Sequence, residues 1–223
     1  MIAPTVDYLL SPWWAALLWA ALGALIGTAL CRPARALLAA SRQAHPLIAA
    51  TTLASITAGL FGLLAWRVNV RSELLAYSAL AAIGVPLAAI DILEQRLPAK
   101  LLTPAYPIVA ALLTLAAIAE HNGTAILRSL AGMIFLSVFY LIIALAAPGA
   151  LGAADIRLAG LLGLALGWPG WTTVISGAML GLLYGSLTGA AMIVFGRATR
   201  HTLIPFSPAL IAGAFTALLV AIG

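Results

Sequence analysis

Eight apolar stretches, each about the length of a bilayer-crossing helix, follow one another along this chain with only short polar breaks between them. They fall at 8–30, 46–66, 72–93, 101–119, 124–147, 155–170, 171–196 and 205–222, and the sixth is the shortest. A hydrocarbon core of about 30 Å takes roughly 20 helical residues to cross. Lipid offers no partner to a backbone N–H or C=O, so each stretch is expected to be a helix rather than an open strand. Composition agrees: 64% hydrophobic residues, 8% charged residues and a mean hydropathy of +1.14 leave too much apolar surface for a water-soluble core. The expectation is a single all-α domain over residues 1–223, a polytopic transmembrane helical bundle of about eight spans with the lipid bilayer as its solvent.

A net charge of +5 would suggest nucleic acid in a soluble protein; here the useful fact is where the positive charges fall. The breaks after spans one, three, five and seven hold Arg32, Arg35, Arg42, Arg96, Lys100, Arg157, Arg197 and Arg200, whereas the other side holds only Arg67, Arg71 and Arg128. By the positive-inside rule this predicts an N-terminus outside, both chain ends outside, and no nucleic-acid partner. No cleavable signal peptide is expected, because the first basic residue, Arg32, follows the first apolar stretch. Cys31 is the single cysteine, so neither an internal disulfide nor a cysteine-based zinc site can be built.

Six acidic residues remain. Asp7, Glu73 and Glu120 fall at predicted outer ends of spans and are expected to be solvated. Asp91 lies inside the last turns of the third span, and Asp155 stands where the chain re-enters the membrane after the fifth, behind the small residues Gly149, Gly152, Ala153 and Ala154. Both are on the predicted cytoplasmic side. A carboxylate at a helix centre costs about 2.5–3.5 kcal/mol on insertion scales, so two at one depth point to a role. Two readings are open. Asp91 could pair locally with Arg96 and Asp155 with Arg157, as interfacial salt bridges. Alternatively the two carboxyls converge, share one proton, and hydrolyse amides as a dyad, one member taking a proton from water while the other polarises the scissile carbonyl.

Other chemistries find less support. His45, His121 and His201 lie in separate breaks with no HExxH spacing, and neither a nucleophile elbow nor a phosphate-binding loop occurs. Gly181, Gly185 and Gly189 recur at the spacing of close helix packing. Trp13, Trp14, Trp66, Trp168 and Trp171 fit an interfacial belt. Gly84 and Pro86, one to two turns before Asp91, are expected to kink the third span.

Three segments resemble the signatures of the type IV prepilin peptidase family. "DILEQRLPAKLLTP" is similar to the first, with Asp91, Pro98, Leu101 and Pro104 in register. "GAADIRLAGLLGLALGW" is similar to the second, Gly-x-Gly-Asp-x-Lys and an apolar run, with Asp155 at the catalytic position. "IPFSPALIAG" resembles a third, Pro-Phe-Gly-Pro, that begins the last helix. The resemblance covers residues 75–222 and implies an intramembrane aspartic endopeptidase of the bacterial inner membrane. Such an enzyme removes the basic leader from prepilins or pseudopilins at the cytoplasmic face. It further implies Asp91 and Asp155 as the catalytic pair, and Gly152, Ala154, Arg157, Pro98, Lys100, Pro205 and Phe206 as substrate-binding or supporting residues.

The departures are specific. Ala154 replaces the family's second glycine, Arg157 its lysine, Ala99 an aspartate and Ser207 a glycine. If that second glycine needs φ above zero, alanine is strained; if only smallness is needed, Ala154 is tolerated. Many members carry a zinc-binding tetracysteine segment in the first cytoplasmic loop and also N-methylate their product. Here that loop is "CRPARALLAASRQAH", which excludes zinc, puts methyl transfer from S-adenosylmethionine in doubt, and looks like the compact peptidases serving Flp or Tad-type pili. No cofactor is expected. The competing readings are a proton-coupled transporter or channel using the same carboxylates as a relay, and a presenilin-like protease of other membrane substrates. The sequence assigns no oligomeric state.

Overall fold

The computed structural model describes residues 12–68, 71–147, 151–195 and 205–222. Asp7, Gly149, Arg197, Arg200 and His201 lie outside the described residues. Those described form eight α-helices and no strand: α1 (Pro12–Ala36), α2 (Ala50–Val68), α3 (Leu74–Glu94), α4 (Ala99–Ala119), α5 (Gly123–Ala146), α6 (Ala153–Leu166), α7 (Trp171–Val194) and α8 (Ser207–Ile222). Two 3-10 turns, Ala40–Arg42 and Pro46–Ile48, join α1 to α2. Six of the eight, all but α6 and α8, are long and apolar enough to cross a membrane. The chain is therefore an all-helical, multi-pass membrane protein.

The expected spans match helix for helix, with two corrections. α6 has 14 residues and α8 has 16, so at about 1.5 Å per residue each is shorter than a hydrocarbon core. α1 runs six residues beyond its expected end, so Cys31, Arg32 and Arg35 belong to the helix rather than to a loop. Cys31 is buried, its Sγ donating to the Ile48 carbonyl at 3.3 Å, and Arg35 Nε donates to the same oxygen. The long arginine stem lets a helix continue into the interface while its charge reaches outward.

The helices are not equivalent. Buried positions make up 72% of the apolar window in α3 and at most 33% in the other five long helices. α3 touches α1, α2, α4, α6 and α8. Every residue of α6 from Leu158 to Leu166 is buried as well. The remaining helices turn large apolar side chains outward, among them Leu25, Leu115, Leu127, Ile134 and Leu145. Lipid tails are as apolar as leucine, so close backbone approach rather than a hydrophobic gradient holds such helices together. A Cβ on Gly132 of α5 would lie 2.6 Å from the Gly163 carbonyl oxygen of α6. One on Gly167 would lie 2.6 Å from both the carbonyl oxygen of Arg128 and the Cα of Ser129. Glycines at these positions are what lets α6 sink against α5. The predicted packing role of Gly181, Gly185 and Gly189 fits too: all three are buried, Gly181 against Leu210 and Gly185 against the Phe206 ring.

Two further expectations change at the end of the bundle where α3 begins. Trp168 is buried rather than part of an interfacial belt, because Arg128 of α5 reaches across to donate to the carbonyls of Gly167 (2.8 Å) and Trp168 and so caps α6. Glu73 is only 5% exposed rather than solvated. It sits just before α3 beside exposed Glu120, whose carboxylate accepts from Ser72 Oγ, and Glu73 Oε2 has no partner among the described residues. Burial raises the Glu73 pKa most; a backbone hydrogen bond opposes this, Glu120 raises it further and Arg71 lowers it. A carboxyl with a raised folded-state pKa stabilises the fold below the ordinary glutamate range and loses that contribution as pH climbs through the folded value. Glu73→Gln is therefore expected to raise the apparent Tm in detergent at pH 7 by the equivalent of about 1–2 kcal/mol. The gain should vanish near pH 4, and thermal scans across that range check it.

Candidate active site

The ends of three helices meet at the side of the molecule opposite Glu73. α3 stops because Gln95 takes a left-handed conformation (φ 52°) and turns its N–H onto the Asp91 carbonyl at 2.8 Å. Asp91 thus occupies the final turn, 5% exposed. Just beyond it, Glu94 accepts from the Ala39 N–H at 2.6 Å and pairs with Arg96, whose Nη2 donates to the Leu37 carbonyl at 2.7 Å. The Glu94–Arg96 segment therefore clamps the turn after α1 onto the end of α3.

α6 begins after Gly152, and Asp155, its third residue, folds back on the helix start. Its Oδ2 accepts the Gly152 N–H at 3.1 Å while its own N–H donates to the Gly152 carbonyl at 3.0 Å. This satisfies one of the orphan donors at a helix N-terminus and places a negative charge where the helix dipole favours it. A Cβ on Gly152 would sit 3.3 Å from Asp155 Oδ2, so the family glycine here provides room for the carboxylate. Ala154 lies within the regular helix, and the positive-φ non-glycine residues are only Gln95 and His121 among those described. Ala154 therefore carries no strain; smallness suffices at this position.

α8 supplies the link. Ser207 is fully buried at its first position; its N–H donates to Asp91 Oδ2 at 3.1 Å and its Oγ donates to Asp155 Oδ1 at 3.0 Å. Two such bonds and one serine between them keep the carboxyl oxygens within roughly 10 Å. Among the described residues the ion pair formed is Glu94–Arg96, so neither aspartate is neutralised by its neighbouring arginine. The pairing of Asp91 with Arg96 and of Asp155 with Arg157 is overturned because Arg96 is engaged by Glu94 and Leu37, while Arg157 points to the exposed side of α6.

The other expected site residues divide. Pro98, buried, is the N-cap of α4 and ends the three-residue turn after α3. Lys100 and Arg157 are exposed near the dyad and make no ion pair among the described residues. Pro205 and Phe206 are half-buried. The Phe206 ring packs edge-on to Tyr140 of α5, centroids 6.2 Å apart, and fills the space that Gly185 leaves on α7. That wedge sets where α8 begins, and hence where Ser207 stands. Gly84 faces Ile211 of α8, and α3 continues through Pro86 without a break.

Two contributors were not legible beforehand. Ser207 stood out only as a replacement for glycine, although a serine opening an apolar helix is itself a capping signal. Tyr106 of α4 donates to the Arg157 carbonyl and so ties α4 to the first turn of α6. No group of three metal-ligating side chains occurs among the described residues.

Residues 74–194, more than half of the chain, match the model of the type IV leader peptidase family. The chain belongs to that family. The matched stretch contains both aspartates and stops short of Ser207, which comes from the helix beyond it. The chain is also similar to the prepilin leader peptidase/N-methyltransferase of Bacillus subtilis (strain 168), 29% identical over 164 residues. That alignment covers 74% of this chain and 63% of the relative, so the chain spans less than two thirds of the relative's length. No solved structure matches it significantly.

An apolar cavity of about 250 Å³ lies between α2, α3 and α8, and its lining includes Ile92 and Pro208, the chain neighbours of Asp91 and Ser207. Val85, Ala89 and Ile92 line it from the Asp91 helix, and Pro208 and Ile211 from the Ser207 helix.

Proposed function

We propose that this protein is an intramembrane aspartic endopeptidase that removes the basic leader from type IV prepilins or pseudopilins. The observation that carries the reading is the convergence of Asp91 and Asp155, 64 positions apart in sequence, on one buried serine, with no arginine paired to either among the described residues. Two carboxyls brought within a few ångströms of each other share a proton, because both cannot be charged at once. The ionised one takes a proton from water as the water oxygen bonds to the scissile carbonyl carbon. The protonated one donates a hydrogen bond to the carbonyl oxygen as charge builds there. The carbon–nitrogen bond then breaks as the nitrogen receives a proton from the dyad, leaving a new carboxyl on the leader and a free amine on the pilin.

The apolar cavity lined by Ile92 and Pro208 supports a substrate whose cleavage point adjoins an apolar helix. Exposed Lys100 and Arg157 at the same end, with Arg32, Arg42 and Arg96, support placing the site toward the cytoplasm and the N-terminus outside, in the bacterial inner membrane. The proposal needs neither a metal nor S-adenosylmethionine, and the methyl transfer in the Bacillus relative's name is not part of it.

Purified protein in detergent is expected to cut a synthetic prepilin peptide, a basic leader followed by glycine and an apolar segment, into two products. Excess EDTA should leave the rate unchanged. Absence of cleavage by folded protein, or inactivation by the chelator, would overturn the proposal.

A further inference from the structure

A hydroxyl between two carboxylates has one proton to give. Ser207 Oγ donates it to Asp155 Oδ1 at 3.0 Å, while Asp91 receives the Ser207 backbone N–H, at 3.1 Å. Where the dyad shares one proton, as the proposed reaction requires, the surroundings decide which aspartate holds it. Asp155 has donors on both oxygens, Ser207 Oγ on one and the Gly152 N–H on the other. It stands in the first turn of α6, a 14-residue helix, where unpaired N–H groups favour an anion. Asp91 stands in the last turn of α3, at the carbonyl end, where an anion is disfavoured, and accepts one backbone N–H, that of Ser207.

We propose that Ser207 is a positioning residue that polarises the dyad: its hydroxyl, donated to Asp155, holds Asp155 as the carboxylate, and Asp91 keeps the shared proton. This inference rests on the peptidase reading for its kinetic consequence. In that reaction Asp155 is the base that takes the proton from water, and Asp91 is the acid that meets the substrate carbonyl.

The groups facing the dyad from each packed helix do not undo the asymmetry. On α4, Lys100 is exposed and Tyr106 is committed to the Arg157 carbonyl. Arg35 of α1 donates to Ile48, and Arg96 pairs with Glu94 beyond α3. Arg157 is exposed on α6. Arg197, Arg200 and His201 lie outside the described residues.

Two measurements test the proposal. In the first, pH profiles of kcat/KM are compared for wild type, Ser207→Ala, Ser207→Gly and Ser207→Thr. Losing the hydroxyl should move the acid limb upward by roughly one unit in the Ala and Gly variants. Threonine, which keeps the hydroxyl, should restore the wild-type profile, a result that loss of packing alone would not produce. An unmoved acid limb in both Ala and Gly variants overturns the proposal. The second needs no turnover: infrared difference spectra at neutral pH, each variant against wild type so that Glu73 cancels, report the protonated carboxyl band. It should disappear in Asp91→Asn and persist in Asp155→Asn; the reverse pattern overturns the assignment. Correct infrared assignments with no cleavage would strike the peptidase reading alone, whereas intact cleavage with reversed bands would strike this inference alone.

Discussion

Asp91→Asn and Asp155→Asn are each expected to reduce prepilin cleavage by at least about 10³-fold while leaving the protein folded. The asymmetry between activity and stability follows from the hydrogen bonds. An asparagine at position 155 still accepts the Gly152 N–H, and one at position 91 still accepts the Ser207 N–H, so each helix end keeps its partner. What an amide cannot do is exchange a proton with water or with its neighbour. Neither variant has a paired arginine to strand, because neither aspartate is bound to one among the described residues. Initial rates on a prepilin peptide, with helical content and apparent Tm from the same preparations, check both halves. Cleavage by either variant at the wild-type rate would dismiss the dyad.

Gly163→Val is expected to deplete folded protein severely, at or beyond the upper end of the 1–3 kcal/mol or so typical of overpacked sites. A Cβ there would lie 2.8 Å from the Gly132 carbonyl carbon and 3.1 Å from Leu136 Cβ, and would also strike the Gly132 oxygen. Backbone cannot step aside as a flexible side chain does. α6 is enclosed along Leu158–Leu166, so it can yield only by moving away from α5 as a body. That movement would carry Asp155 off Ser207, and the surviving protein should be inactive. Gly59→Ala is the control: a Cβ on Gly59 of α2 meets nothing within 4 Å, and its effect should stay within about 1 kcal/mol. Unfolding midpoints in detergent for the two variants decide the matter. Equal stability would mean that the α5–α6 contact is looser than the glycine geometry requires.

The helices were legible because the apolar stretches are long and their breaks are polar. The break at "GWPGW", between spans six and seven, falls where expected, with α6 ending at Leu166 and α7 starting at Trp171. The end of α1 was misjudged because arginine is polar in the sequence yet compatible with a helix at the interface. Glu73 was misjudged for a related reason: a carboxylate beside a span end reads as solvated unless the neighbour that covers it is known. One group that acts on it, Glu120, is 47 residues away.

Which helices are central was not legible at all. In water an amphipathic stripe marks the buried face, but in a bilayer both faces of a helix are apolar, so α3 and α4 read alike in sequence though one is largely enclosed and the other is not.

The sequence alone determined the number and order of the helices, the side of the molecule that holds the basic residues, and the two carboxylates left near the membrane at that side. Those properties are local, each written in a run of some twenty residues or in a single costly charge. The tertiary structure alone decided that Asp91 and Asp155 converge, that Glu94 rather than Asp91 takes Arg96, and that Ser207 joins the pair. The convergence depends on contacts spanning 116 and 52 positions and the placing of Arg96 on its bond to Leu37, 59 positions away, made possible by how closely glycine-lined helices approach, and no local pattern encodes a distance of that kind.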